Sequence, residues 1–206
     1  AESYSERIAV KIRTLELLSV LDMLCLVILI VIQTLAAMKM SVLNKLLEQR
    51  AYTDAHTGLP NKDACEVLLN NKETVAKHTA CMMFDLNNLK IINDTKGHSK
   101  GDQLILNFAR LLRNVIPQKD FVGRYGGDEF MVVIYNTSKT EIEDILKQLS
   151  REKDRLNSSG NNMPIDYACG WAISDADSEC TIQMLLDKAD YYMYENKQAY
   201  KKSKKS

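Results

Sequence analysis

Apolar and polar positions divide the chain into two unlike parts. Residues 17–38, LLSVLDMLCLVILIVIQTLAAM, are apolar on every helical face, with an unbroken run from Met23 to Ile32. A surface helix would show a one-sided stripe instead. At 1.5 Å per residue this window spans about 33 Å as a helix, near the thickness of a bilayer's hydrocarbon core. Its thirteen Leu, Ile and Val residues contribute roughly −4 to −8 kcal/mol to insertion, against at most about +3 kcal/mol for Asp22. The pattern predicts a membrane-spanning helix. A buried or dimer-forming helix of a soluble protein is the alternative, because Asp22 and Gln33 interrupt the run. A signal peptide fits less well, since the run lies well inside the sequence and lacks a clear small-residue cleavage site. Met40, Leu43 and Leu47 then recur at helical spacing within residues 39–52. That suits either a helix packed on its own domain or a short parallel dimer stalk.

The remainder alternates between helix and strand periods. Asn61 follows the Thr57-Gly58-Leu59-Pro60 break and is placed to cap a helix carrying Ala64, Val67 and Leu68. Residues 79–84 (TACMMF) form a strand-length apolar run stopped by Asp85-Leu86-Asn87-Asn88. Gly97 and Gly101 bracket a loop, after which Leu104, Ile105, Phe108, Leu111, Leu112 and Val115 recur at helical spacing up to Pro117. Two β-prone runs, Phe121 to Tyr125 and Phe130 to Tyr135, flank Gly126-Gly127 and predict a hairpin. Ser138 to Glu141 reads as a capping box opening a helix with Ile142, Ile145, Leu146 and Leu149. A loop is expected over Asn157 to Asn162, a strand over 164–173, and a last helix from about Thr181. The order α-β-α-α-β-β-α-β-α predicts an α+β domain, with helices covering an antiparallel or mixed sheet. The expected organisation is residues 1–52 as membrane helix and stalk, 53–202 as one domain, and 203–206 as a basic tail.

Composition narrows the functional classes. The 206 residues carry 27 basic and 27 acidic side chains, and a balanced charge argues against a nucleic-acid partner. Five scattered cysteines without a CxxC pair suggest neither a zinc site nor a disulfide framework, and fit a reducing compartment. The chain opens on Ala, as a fragment or a processed product would.

Candidate chemistry lies with the acids. Asp85 follows one apolar strand, and Asp128 and Glu129 follow the Gly-Gly turn. If the strands are neighbours, these carboxylates converge at one sheet end, where they repel one another and favour a divalent cation. Mg²⁺ takes one or two carboxylates together with substrate phosphates. Gly126 and Gly127 would let a nucleotide approach the backbone. On spacing alone, an ordinary acidic turn is the commoner explanation.

Four motifs carry a family resemblance: DAHTGLPNK at 54–62, FDLNNLKIINDTKGHSKGD at 84–102, RYGGDEF at 124–130 and MYENK at 193–197. In order and content they resemble the GGDEF-domain diguanylate cyclases over about 150 residues. The resemblance implies a palm-like nucleotidyl-cyclase fold with a mostly antiparallel central sheet. It also implies condensation of two GTP molecules into cyclic di-GMP, with release of two pyrophosphates. It implies two Mg²⁺ or Mn²⁺ ions per half-site, held by Asp85, Asp128 and the backbone carbonyl of Leu86. Asp128, Glu129 and Lys90 would be catalytic. Asn93 and Asp102 would read guanine, a carboxylate suiting the N1–H and N2–H₂ donors that adenine lacks. His98, Gly126, Gly127, Lys197 and Lys201 would hold the phosphates. Asn87, Leu89 and His56 depart from the usual pattern. In the stretch matching the family's product-inhibition motif RxxD, Pro117 stands where Arg is usual and Asp120 remains, which implies loss of inhibition there.

Two 3′–5′ bonds between two GTP molecules require two facing half-sites, hence a homodimer. GTP is intracellular, so the implied protein is a single-pass protein of a bacterial cytoplasmic membrane. Its catalytic domain would lie in the cytoplasm, with a sensor domain expected upstream of residue 1. A GTP-binding regulatory module and a membrane-anchored interaction protein are the competing classes.

Overall fold

The computed structural model describes residues 4–71, 74–159, 164–174 and 180–203. The chain divides into two compact units, with the boundary after Gln49. The first is formed by helix α1 (Tyr4–Tyr52) up to Gln49, and residues 17–38 and 39–52 join in that helix without a break. Its apolar side chains are exposed along its length. It is long and apolar enough to cross a membrane, by length and composition.

In the second unit a four-stranded sheet has the order β2-β3-β1-β4, with β1 at Ala80–Leu86, β2 at Phe121–Arg124, β3 at Glu129–Ile134 and β4 at Tyr167–Ile173. All three pairings are antiparallel. The helices are α2 (Lys62–Leu69), α3 (Leu89–Lys96), α4 (His98–Val115), α5 (Lys139–Ser158) and α6 (Ile182–Ser203). This is the α+β order expected from the hydrophobic pattern.

Both faces of the sheet are covered. Met82, Phe84, Phe130 and Val132 pack with Leu104, Phe108 and Leu112 of α4 and with Ile142 and Leu149 of α5. Phe108 stands edge-on to Phe84 and Phe130, at centroid distances of 5.9 and 5.0 Å. On the other face Cys81, Met83, Met131 and Val133 meet Cys65 of α2 and Leu185, Leu186, Ala189 and Met193 of α6. Every residue of β1 is therefore buried, which is why Ala80 to Phe84 read as an unbroken apolar run rather than an alternation. The backbone of α6 lies directly on Gly170 of β4. A Cβ there would fall 2.1 Å from the Met193 nitrogen and 2.2 Å from the Ala189 oxygen. The capping box at Ser138 and the Asn61 cap both form.

The structure moves several boundaries. β1 does not stop before Asp85 but runs through Asp85 and Leu86, because the ladder continues opposite Glu129 and Ala168. Only Gly97, at φ +85°, separates α3 from α4. One residue free to adopt positive φ turns the chain, so Gly101 bounds no loop and is buried inside α4. For the same reason Asp102 does not cap a helix beginning near Gln103, since that helix has already begun at His98. The Asn157–Asn162 segment, expected as a loop, is helical through Ser158. Its positions from 160, the tail residues 204–206 and the side chain of Lys201 lie outside the described residues.

Candidate active site

The β1–β3 ladder sets Asp85 opposite Glu129. One step along, the Leu86 N–H donates to the Asp128 carbonyl at 2.9 Å. The acids of two separate motifs thus meet at one end of the sheet. The turn between β2 and β3 is closed by the N–H groups of Tyr125 and Gly126, which donate to the Glu129 carbonyl at 2.9 and 3.1 Å. A Cβ on Gly126 would lie 2.6 Å from Glu129 Oε2, so glycine there lets the Glu129 side chain fold over the turn. Gly127 faces open space.

Asp85 is only 6% exposed. Its Oδ2 accepts from Lys197 Nζ at 2.6 Å, while its Oδ1 is buried without a hydrogen-bond partner. Beside it opens a cleft of about 500 Å³ lined by Asp85, Glu129, Asp187, Asp190, Tyr194 and Lys197, among others. Burial pushes the Glu129 carboxyl above its ordinary range, the charges of Asp128, Asp85 and Asp190 push it further, and Lys197 partly opposes them.

These features suit a divalent cation. An orphaned oxygen on a buried carboxylate costs free energy unless something binds it, and its sister oxygen already holds a cation, the Lys197 ammonium. Among the described residues no three His, Cys, Asp or Glu side chains form a ready ligand group. A cation here would draw further oxygens from backbone or substrate, as Mg²⁺ habitually does.

The remaining expected residues divide between the α3–α4 corner and the surface. Asn93 packs against Gly101, where a Cβ would lie 1.9 Å from Asn93 Oδ1. Gly101 thus admits the Asn93 side chain into the corner. Asp102 is exposed in the same corner, and its carbonyl accepts from His56 Nε2 at 2.9 Å. Lys90 and His98 are exposed at the starts of α3 and α4 and do not line the acidic cleft.

Sequence reasoning assigned no role to Asp54 or Arg124, although both stand inside the quoted motifs. Arg124 Nη1 donates to both oxygens of Asp54 at 3.2 Å, and its Nη2 to the Gly127 carbonyl at 2.8 Å. The guanidinium therefore ties the opening motif to the glycine turn. Burial alone would raise the Asp54 carboxyl, but hydrogen bonds from the Thr57 hydroxyl and amide and the charge of Arg124 outweigh it and hold the carboxyl below its ordinary value. Asp187 and Asp190 were also unassigned. Their three-residue spacing on the last helix was the available signal. Asp120, in the altered product-inhibition stretch, is buried and accepts from the Tyr135 N–H at 3.1 Å.

Comparison with known proteins bears on the family. Residues 51–203 match the model of the family described as diguanylate cyclase, GGDEF domain. The chain is 30% identical to diguanylate cyclase DgcP of Escherichia coli over 165 residues, which cover 78% of this chain and 48% of that protein. It is 32% identical over 146 residues to cyclic di-GMP phosphodiesterase PdeB of Shewanella oneidensis, covering 70% of this chain and 17% of that protein. The GGDEF domain of DgcB from Caulobacter crescentus, solved in complex with c-di-GMP, superposes with a TM-score of 0.62 at 25% identity, covering 72% of this chain and 91% of that one. The chain spans less than half the length of these curated relatives. The match over three quarters of the sequence and the superposed sheet lead to one assignment: this chain belongs to the GGDEF-domain diguanylate cyclase family.

Proposed function

We propose that this chain is a diguanylate cyclase that condenses two GTP molecules into cyclic di-GMP and two pyrophosphates. The reaction would run between two copies whose GTP-loaded half-sites face each other. The observation that carries the reading is the pairing of Asp85 with Glu129, with the Leu86 N–H on the Asp128 carbonyl, beside a cleft that also holds Lys197. Asp85 and Asp128 would hold divalent cations, with the Leu86 carbonyl as a further donor. Bound there, the metal would lower the pKa of the 3′-hydroxyl and offset charge at the α-phosphate.

The chain's own residues would do the rest. Asp128 would accept the proton of the attacking 3′-hydroxyl, and Glu129 would position that group. The Glu129 carboxyl, whose proton affinity is raised by burial and then by neighbouring acids, is suited to sharing a proton or a cation. Lys90, Lys197 and Lys201 would bind the triphosphate as point charges. His98, Gly126 and Gly127 would shape the phosphate side, and Asn93 and Asp102 would read guanine. Alignment of two bound nucleotides can contribute several kcal/mol by removing the entropy cost of encounter, so dimer geometry would control the rate. Residues 17–38 would cross a bacterial cytoplasmic membrane and hold two copies together, with the catalytic domain on the side where GTP is available.

Incubation of the detergent-solubilised chain with GTP and Mg²⁺, followed by chromatography of the nucleotides, tests the reading. Cyclic di-GMP is expected from the unaltered chain and none from Asp85→Asn or Asp128→Asn. Undiminished product from either variant would refute the assignment of the acids.

A further inference from the structure

Among the described residues, Lys197 is the one basic side chain lining a cleft that also presents Asp85, Glu129, Asp187 and Asp190. Its ammonium lies 2.6 Å from Asp85 Oδ2, and the carboxylate is 8% exposed against 27% for the lysine side chain. We propose that Lys197 is a resident counter-ion that blocks metal binding at Asp85 until a triphosphate draws it away, so that cation and nucleotide load together. The proposal rests on the reading of Asp85 as a metal-holding carboxylate.

Three features support it. The first is charge. A divalent cation on the free Oδ1 of Asp85 would sit a few ångström from the ammonium on Oδ2, where like charges repel strongly in a partly desolvated cleft. Lysine and metal therefore compete for one carboxylate. The second is mobility of the side chain on a fixed root. Met193, one turn before Lys197, has its backbone nitrogen pressed onto Gly170, so the helix cannot easily shift. The four-carbon stem of lysine can swing, and the cleft of about 500 Å³ leaves room for it to do so. The third is the supply of an alternative partner. A triphosphate offers the ammonium several anionic oxygens in exchange for one carboxylate. Release of Asp85 to the metal and capture of Lys197 by phosphate are then two halves of one exchange. Because coupling is reciprocal, metal would tighten nucleotide binding by the same factor. An empty site would hold no idle metal, and a nucleotide lacking the triphosphate would not open it.

Manganese is the probe. Free Mn²⁺ is measured by electron paramagnetic resonance during titration of the full chain in detergent, without nucleotide. The unaltered chain is expected to bind weakly. Lys197→Met and Lys197→Gln should each bind about tenfold more tightly, and Lys197→Arg should remain like the unaltered chain. The gain should vanish in the Asp85→Asn/Lys197→Met double variant. Circular dichroism confirms that each variant is folded. Equal affinity of the unaltered chain and both neutral variants, or a gain that survives Asp85→Asn, overturns the proposal. Failure of the cyclase reading shows elsewhere, as undiminished GTP turnover in Asp128→Asn with Lys197 intact, and so is distinguishable from failure of the gate.

Discussion

Substitution of Gly170 tests whether one backbone contact holds α6, and with it Lys197, over the acidic cleft. In Gly170→Ala the new Cβ would lie 2.1 Å from the Met193 nitrogen, 2.2 Å from the Ala189 oxygen and 2.7 Å from the Tyr192 carbonyl carbon. All three are backbone atoms of a helix, so no side chain can turn aside. Ordinary contacts begin near 3.4 Å, and α6 must therefore retreat by about 1 Å. A gap of that size forfeits a quarter to a half of the dispersion energy of atoms along the contact. Leu185, Leu186, Ala189 and Met193 are all buried against the sheet by this helix. Overpacking of this kind costs about 1–3 kcal/mol, and the usual gain of up to about 1 kcal/mol from replacing glycine offsets only part of it. A net loss of about 1 kcal/mol is expected. The only tryptophan, Trp171, adjoins the site and serves as the probe, its fluorescence followed during urea unfolding of the full chain in mild detergent. Gly127→Ala is the control, because nothing lies within 4 Å of its new Cβ. Cyclic di-GMP formation should fall in Gly170→Ala as the root of Lys197 moves. If Gly170→Ala unfolds within about 0.5 kcal/mol of the control, a typical scatter for neutral substitutions, the packing argument is wrong.

Other expectations follow from single contacts. Gly101→Ala should expel Asn93 from its corner and raise the KM for GTP more than it lowers kcat, measured by steady-state kinetics; an unchanged KM would remove Asn93 from guanine recognition. The Asp54 carboxyl is held below its ordinary value of 3.8, so its contribution to stability is present above that pH and is lost as pH falls through the lowered value. Urea midpoints between neutral pH and about pH 3 should therefore drop more steeply for the unaltered chain than for Asp54→Asn, and equal slopes would contradict the Arg124 linkage. Leu26→Lys combined with Ile30→Lys adds about 5–7 kcal/mol against insertion and should shift the protein out of the membrane fraction; persistence in carbonate-washed membranes would argue against residues 17–38 as the span. Cyclic di-GMP titrated into the chain by calorimetry should show no tight site that depends on Asp120, since Pro117 offers no guanidinium; tight binding abolished by Asp120→Asn would refute this.

Much of the fold was legible from hydrophobic period alone. Helices α2, α4, α5 and α6 and the β2–β3 hairpin follow from stripes, caps and the Gly126-Gly127 turn, since these signals are local. The helix over 17–38 is legible without a partner, because an unbroken apolar run is a local signal. The acidic motifs likewise announced themselves in order along the chain. Tertiary structure alone decided what meets what. The end of β1 differs because Asp85 and Leu86 look like a loop in sequence and become strand only by pairing, Asp85 with Glu129 and Ala168 and Leu86 with Tyr167. Gly101 looked like a loop glycine, yet its reason is the Asn93 side chain pressed against it. The Asp54–Arg124 tie, the His56 bond to the Asp102 carbonyl and the Lys197–Asp85 pair join residues 70, 46 and 112 positions apart. No local pattern encodes such pairs, because their free energy depends on distances that exist only once the sheet and α6 have packed.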